Sequence, residues 1–430
     1  MANNVHLLVL IHGMWGNPKH LDEMKRIYYE TRGHDMSDVH GPDGEELRLL
    51  VPETNKDSAT YDGIDWGGER VAEEIVEEVE RLRAEGRTVT RFSVTGYSLG
   101  GLIARYAVGV LSQKDFFQDI TPVNFSTVAT PHLGQIIYKS FRSKLFAYFG
   151  PKLLSRTGEQ LYTIDDWAET GRPLLDILAD SGRIFYKALS TFQRIRFYAN
   201  SVNDITVPYM TAAVEASDPF VDHTFNGIKI EIDEKYAPII ASFTSPEAPA
   251  ARPPSPKPFS AKWLKGFVPK LPMWLQFKFP VNAIIIALLP ILFPTFIGIA
   301  IVRLSLESRG SRSRLRLLEK DETYRERLIH VVGKLERSIE DAALEVMDEG
   351  SSPGSPPQEF SEQEAESLLS PTQTRMAKAL NALPNFGKEL AFIDPVVNSH
   401  GTIIARDIKR FKFHEIGHGV LRHLADHFIM

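Results

Sequence analysis

The chain of 430 residues contains no cysteine. That excludes disulfide frameworks, thiolate nucleophiles and cysteine-ligated metals, and it suits a reducing compartment better than a secretory one. Charge of one sign is also scarce: 49 Lys and Arg oppose 55 Asp and Glu, for a formal net charge of -6. With a pI near 6.1, no basic field favours a nucleic acid partner. No basic region and cleavage site flank the first apolar run, so no signal peptide is expected. Metal signatures are lacking too. His414-Glu415-Ile416-Gly417-His418 departs from the zinc pattern HExxH by one position, and His423 and His427, read as surface residues of a terminal helix, have no third ligand. No cofactor and no metal are expected.

What the chain does have is Gly96-Tyr97-Ser98-Leu99-Gly100, a G-x-S-x-G pattern placed between a strand-like segment 91–95 and a helix opening at Leu102. The order strand, tight turn, helix gives the short pattern its weight. Around it, apolar strands at 5–11, 47–51, 123–129 and 195–199 alternate with helical patterns at 19–31 and 69–85, and each strand ends in a polar loop. Length and alternation predict an α/β protein, a mostly parallel sheet covered by helices on both faces.

After residue 243 the composition changes. The expected organisation is a first core part over 1–243, a proline-rich linker over 244–260 and a membrane-associating insert over 261–310. An amphipathic helix over 311–349, a low-complexity linker over 350–374 and a returning core part over 375–430 complete it. The insert carries 22 uncharged residues, 281–302, preceded by tryptophans and phenylalanines interleaved with lysines, a mixture that suits a headgroup region. Pro290 and Pro294 interrupt the run, which favours a bent or hairpin insertion from one face over a straight span. A buried core hairpin is the competing reading.

A serine hydroxyl needs a histidine base and an acid that orients it. Asp204, in the polar loop after the strand 195–199, is the candidate acid, with Asp165 and Asp166 as rivals. His400 is the candidate base among the C-terminal histidines, since it stands in a loop, Asn398-Ser399-His400-Gly401. One oxyanion donor is the N–H of Leu99. The second comes from the loop after the first strand, with Met14 preferred over Gly13 or Trp15. Met14 and Trp15 are also candidate linings of an acyl pocket.

These segments resemble the fungal serine esterases and lipases of the DUF676 type, related to yeast Rog1-like lipases. The resemblance rests on Ile11-His12-Gly13 with Trp15-Gly16, Tyr61-Asp62-Gly63-Ile64-Asp65-Trp66-Gly67-Gly68, and Gly96 to Gly101 with Arg105-Tyr106. Thr130-Pro131-His132-Leu133-Gly134, Tyr198 to Asp204 with Val207-Pro208-Tyr209, and His400 to Arg406 extend it. It covers roughly 1–215 and 390–430. It implies an α/β-hydrolase fold, Ser98, Asp204 and His400 as a triad, and hydrolysis of lipid esters such as phospholipids or monoacylglycerols. The expected partners are a lipid ester and a membrane or lipid-droplet surface, with no obligate protein partner. The expected location is the endoplasmic reticulum membrane or lipid droplets, with the hydrolase part facing the cytosol. A noncatalytic adaptor, a lipid transacylase and a small-ester esterase are the alternatives.

Overall fold

The computed structural model describes residues 4–32, 44–246, 260, 281–320 and 368–430. Eight strands are described: β1 (Asn4–Ile11), β2 (Glu46–Leu50), β3 (Thr88–Tyr97), β4 (Thr121–Val128), β5 (Arg194–Asn200), β6 (Lys229–Ile232), β7 (Ile240–Thr244) and β8 (Phe386–Ala391). The helices are α1 (Asp22–Arg32), α2 (Ile64–Ala84), α3 (Leu99–Gln113), α4 (Phe141–Leu153), α5 (Ser155–Leu161) and α6 (Leu174–Ala179). They continue with α7 (Ile184–Ser190), α8 (Tyr209–Ala212), α9 (Val281–Lys320), α10 (Pro371–Asn381) and α11 (His418–Asp426).

Six strands form one sheet in the order β2-β1-β3-β4-β5-β8, every pair parallel. The alternation in β1 shows why it lies inside. Val5, Leu7, Val9 and Ile11 enter one apolar core with α2, α3, α6, α7 and α10, while Leu8 and Leu10 enter a second core with α1 and α11. A strand covered on both faces has no polar side to show. The chain leaves β1 towards β2 and returns to β3 on the other side of β1, so the strand order reverses between β1 and β3. At such a switch point a crevice opens beyond the carboxyl ends of the strands. Residues 12–16 and Ser98 follow β1 and β3 there.

Several local expectations change. Helix α2 starts at Ile64, so part of the stretch expected ahead of it is its first turn; Gly67 and Gly68 pack under Ile103 and Tyr106 of α3. Helix α10 starts inside the stretch read as linker 350–374. Ser370 caps it reciprocally, its Oγ accepting from Gln373 N–H at 3.2 Å while Gln373 Oε1 accepts from Ser370 N–H at 3.0 Å. His423 is not a surface residue: it is buried, with Nδ1 3.0 Å from the Tyr198 hydroxyl and its ring 4.1 Å from that of His427.

Helix α9 runs unbroken through Pro290 and Pro294, so no hairpin turn develops within 281–302. Two prolines four residues apart remove two bonds from one side of the ladder and leave the others, and Thr295 Oγ1 donates to Ile291 O at 2.8 Å. Among the described residues no helix is long and apolar enough to cross a membrane. The core-hairpin reading also fails where side chains are described, because Ile291, Phe296, Ile299 and Val302 are all exposed. The C-terminal half of α9 packs on the core instead. Ser311 Oγ and Arg314 Nη2 reach the buried Asp62 carboxylate at 2.7 and 2.9 Å, and Ser308 Oγ donates to Lys152 O of α4 at 3.1 Å. The flank 261–280, residues 247–259 of the proline-rich stretch and the part of the amphipathic segment beyond Lys320 lie outside the described residues.

Candidate active site

Ser98 sits between the last residue of β3 and the first of α3, at φ 55° and ψ -125°. A non-glycine residue there costs about 1–3 kcal/mol, so its surroundings must hold it. Ser98 N–H donates to Val128 O at 2.8 Å, and Thr130 Oγ1 donates to Ser98 O at 2.9 Å. The turn is tight because α3 begins directly against the end of β1: a Cβ on Gly100 would lie 2.2 Å from Ile11 O. Glycine is required by that contact. The turn lifts Ser98 Oγ towards the crevice, and Ser98 is only 7 % exposed.

Asp204 and His400 arrive from the ends of β5 and β8, the next strands in the sheet after β4. His400 Nε2 lies 3.0 Å from Ser98 Oγ, and His400 Nδ1 lies 2.9 Å from Asp204 Oδ2. The acid is well furnished with donors. Asn200 Nδ2 donates to Oδ2 at 2.8 Å, while the N–H groups of Thr206 and Val207 donate to Oδ1 at 3.0 and 2.8 Å. A carboxylate with every oxygen engaged cannot rotate away from the imidazole. It therefore holds the Nδ1–H tautomer and leaves Nε2 free to accept the serine proton.

The histidine loop is tied to both neighbours. Ser399 Oγ donates to Val202 O at 2.9 Å, Ser399 N–H donates to Asn203 O at 2.9 Å, and the Tyr97 hydroxyl donates to His400 O at 3.0 Å. Burial pushes the Tyr97 phenol well above its usual value, so it stays a neutral donor. Tyr97, Asn200 and Ser399 were missed in the sequence reading. Their only sequence signal is position, each within four residues of a triad candidate.

Leu99, as the first residue of α3, has no helical carbonyl behind it to receive its N–H, and the helix start adds a positive end. Met14 N–H takes no partner among the described residues. Between them Gly13 lies flat against the serine, since a Cβ on it would be 2.7 Å from Ser98 Cβ and 3.2 Å from Oγ. His12 stiffens this loop by donating Nδ1–H to Gly13 O at 3.1 Å, and burial lowers its pKa so that it remains neutral. Trp15 adopts φ +54° although it is bulky. Two bonds hold it, N–H to Thr60 Oγ1 at 3.2 Å and Nε1–H to the Tyr61 hydroxyl at 2.7 Å. Trp15 is 52 % exposed, so its side chain is partly open to a ligand.

The rival acids stand elsewhere. Asp166 Oδ1 accepts from Gly171 N–H at 2.7 Å. Asp165 Oδ2 accepts from Leu174 N–H at 2.9 Å, and burial pushes its pKa up from 3.8 to about 6. A carboxyl with a raised folded pKa favours the folded state at low pH, and that contribution is lost as pH rises through about 6. At about 1.4 kcal/mol per pKa unit the ionised group costs up to about 3 kcal/mol. Asp165→Asn keeps the acceptor for Leu174 and removes the charge. It is expected to raise the urea midpoint at pH 8 and to raise it far less at pH 4; an equal shift at both values would refute the electrostatic account.

The other C-terminal histidines serve the fold. His414 Nδ1 accepts from Asp407 N–H at 3.1 Å, and His418 Nε2 lies 3.1 Å from Glu23 of α1. Among the described residues no group of three or more His, Asp or Glu is placed to hold a metal ion.

Residues 1–218 match the family described as "Putative serine esterase (DUF676)". Among curated proteins, "Putative lipase C4A8.10" of Schizosaccharomyces pombe is 32% identical over 222 residues, covering 50% of this chain and 27% of its own length. "Putative lipase ROG1" of Saccharomyces cerevisiae is 31% identical over 247 residues, covering 56% of this chain and 33% of its own. The chain thus spans about a third or less of the length of these relatives. A solved structure, "The crystal structure of the putative cell surface hydrolase from Lactobacillus plantarum WCFS1", aligns over 54% of this chain and 82% of its own. Its TM-score is 0.29 and its identity 12%.

Proposed function

Since the chain belongs to the DUF676 family of serine esterases, we propose that it is a lipase that hydrolyses acyl esters of glycerolipids at a lipid surface through a Ser98 acyl-enzyme. The observation that carries this reading is the hydrogen-bonded sequence Ser98, His400, Asp204, with spacings of 3.0 and 2.9 Å, at the carboxyl ends of parallel strands. His400 Nε2 takes the proton of Ser98 Oγ as that oxygen attacks the ester carbonyl carbon. The carbonyl oxygen becomes an oxyanion facing Leu99 N–H and Met14 N–H. As the C–O bond to the alcohol breaks, the imidazolium returns its proton to the leaving oxygen, and the acyl group stays on Ser98. Water, deprotonated by the same nitrogen, then releases the fatty acid and restores the serine.

Two exposed apolar elements support a lipid surface as the working environment. Helix α9 presents Ile291, Phe296, Ile299 and Val302, and the neighbouring α4 presents Leu145, Phe146 and Phe149. Contiguous exposed apolar side chains of this kind mark interaction sites. Lys144 and Lys152 of α4 and Arg303 of α9 lie beside them and suit anionic headgroups.

The test is product release from a mixed panel of phospholipids, lysophospholipids and mono-, di- and triacylglycerols by the full-length protein and by Ser98→Ala. Ser98-dependent release of fatty acid from one class is expected, and it names the substrate. Transfer of the acyl group to an added alcohol, without free fatty acid, would replace hydrolysis by transacylation. Absence of release from every class, with no fluorophosphonate labelling of folded protein, would overturn the enzymatic reading.

A further inference from the structure

Between Trp15 and α9 lies a groove of about 400 Å³, within the usual range for a ligand pocket. Its lining comes from Trp15, Asp57, Ser58 and Tyr61 on one side and from Ala300, Arg303, Leu304 and Glu307 on the other. Those four α9 residues are spaced i, i+3, i+4 and i+7, a single helix face. Followed towards the C-terminus, the same face holds Ser308, Ser311 and Leu315, all buried against the core. Followed towards the N-terminus, it holds Ile297 and Phe296, which are 44 % and 65 % exposed. One face therefore passes from protein contact, through the groove, to open apolar surface.

One wall of the groove is close along the chain to the serine. Trp15 is two residues, at most about 7.6 Å of chain, beyond Gly13, which lies against Ser98. The two walls are also fixed to each other. Asp62 and Ser58 O hold Arg314 of α9 at 2.9 and 2.8 Å, and Thr60 and Tyr61 of the same short segment hold Trp15. The strained Trp15 backbone is thus maintained by the segment on which α9 is seated.

Building on the lipase reading, we propose that this groove binds the acyl chain of the scissile ester and that the α9 face leads that chain from the lipid layer to Ser98. The occupant is a long hydrocarbon chain because the walls between Trp15 and Leu304 are apolar and continue into the exposed face. Arg303, Glu307 and Asp57 are the charged residues of the lining. A short acyl group reaches the serine without filling the groove, so the groove selects for chain length.

Ala300→Trp places an indole in the groove without touching the triad. The experiment compares hydrolysis of palmitoyl and butyryl p-nitrophenyl esters in the same mixed micelles. The ratio of palmitoyl to butyryl turnover is expected to fall at least tenfold. An unchanged ratio would overturn the proposal and direct attention to the cavity of about 300 Å³ beside Asp204, lined by Tyr138, Ile205 and Phe220. A fall matched by lost vesicle binding would overturn it as well, since anchoring alone would then explain the effect. If Ala300→Trp does not fold, Leu304→Phe supplies the same measurement with a smaller intrusion. Fluorophosphonate labelling of Ser98 in the unsubstituted protein separates the two levels: without it the lipase reading fails, and with it only the groove assignment is at stake.

Discussion

Replacing His400 by alanine is expected to lower ester turnover by about four to six orders of magnitude, the loss typical when a triad member is removed. Without the imidazole, Ser98 Oγ has no acceptor for its proton, and the Asp204 carboxylate faces empty space. The control is His418→Ala. His418 lies at the start of α11, 3.1 Å from Glu23, and has no contact with the crevice. Its loss removes one side-chain hydrogen bond worth about 1 kcal/mol, and turnover should stay within about threefold. Labelling by a fluorophosphonate probe gives the same comparison independently of substrate. It should be abolished in Ser98→Ala, slowed severely in His400→Ala and unaffected in His418→Ala. Full activity in His400→Ala would remove His400 from the base position, whatever the fate of the serine.

The choice of His400 among five C-terminal histidines illustrates what the sequence makes legible. Ser98, Asp204 and His400 all follow strands, and a polar residue just beyond a strand in a parallel sheet points into the crevice at its carboxyl end. For Ser98 the strand was readable from its strand-like segment ahead of the turn, and for Asp204 from the apolar run 195–199. For His400 the preceding strand was hidden: β8 is at the sheet edge, and of its Phe386–Ala391 run only Ala391 is buried. The histidine was readable from its loop, the strand was not. The residues that fix the triad were invisible for a different reason. Tyr97 reaches His400 O across 303 positions of sequence, and Ser399 reaches Val202 O across 197. Such contacts exist only once the sheet has formed. Ser311 and Arg314, within the arginine-rich stretch 309–316, grip Asp62, whose side chain is wholly buried. Helical spacing turns every third or fourth residue of that stretch onto one face, which forms a docking seam.

That seam makes the exposed half of α9 the second large lever. Ile291, Phe296, Ile299 and Val302 are 66 %, 65 %, 62 % and 59 % exposed, and they precede the docked half of the same helix. Placing side chains of this size in a lipid layer stabilises the bound form by about 1.5 kcal/mol each, at the low end for apolar burial. Four together give about 6 kcal/mol, so replacing all four by glutamine, a good helix former, should shift vesicle binding by about 10⁴-fold. Sedimentation with phosphatidylcholine vesicles reads this directly. The substituted protein should remain in the supernatant and lose turnover on vesicle lipid, while its turnover on a soluble butyryl ester is retained. Persistence of the variant on vesicles would refute the anchoring role of α9 and leave α4 as the surface element. Insolubility of the variant would mean that these side chains pack against protein, because polar replacement of lipid-facing residues makes a free chain more soluble. The docking at Asp62 gives the retained soluble activity its meaning. One helix carries both the exposed apolar half and the half docked at Asp62, so weakening the apolar half is expected to change vesicle binding without loosening the loop that holds Trp15.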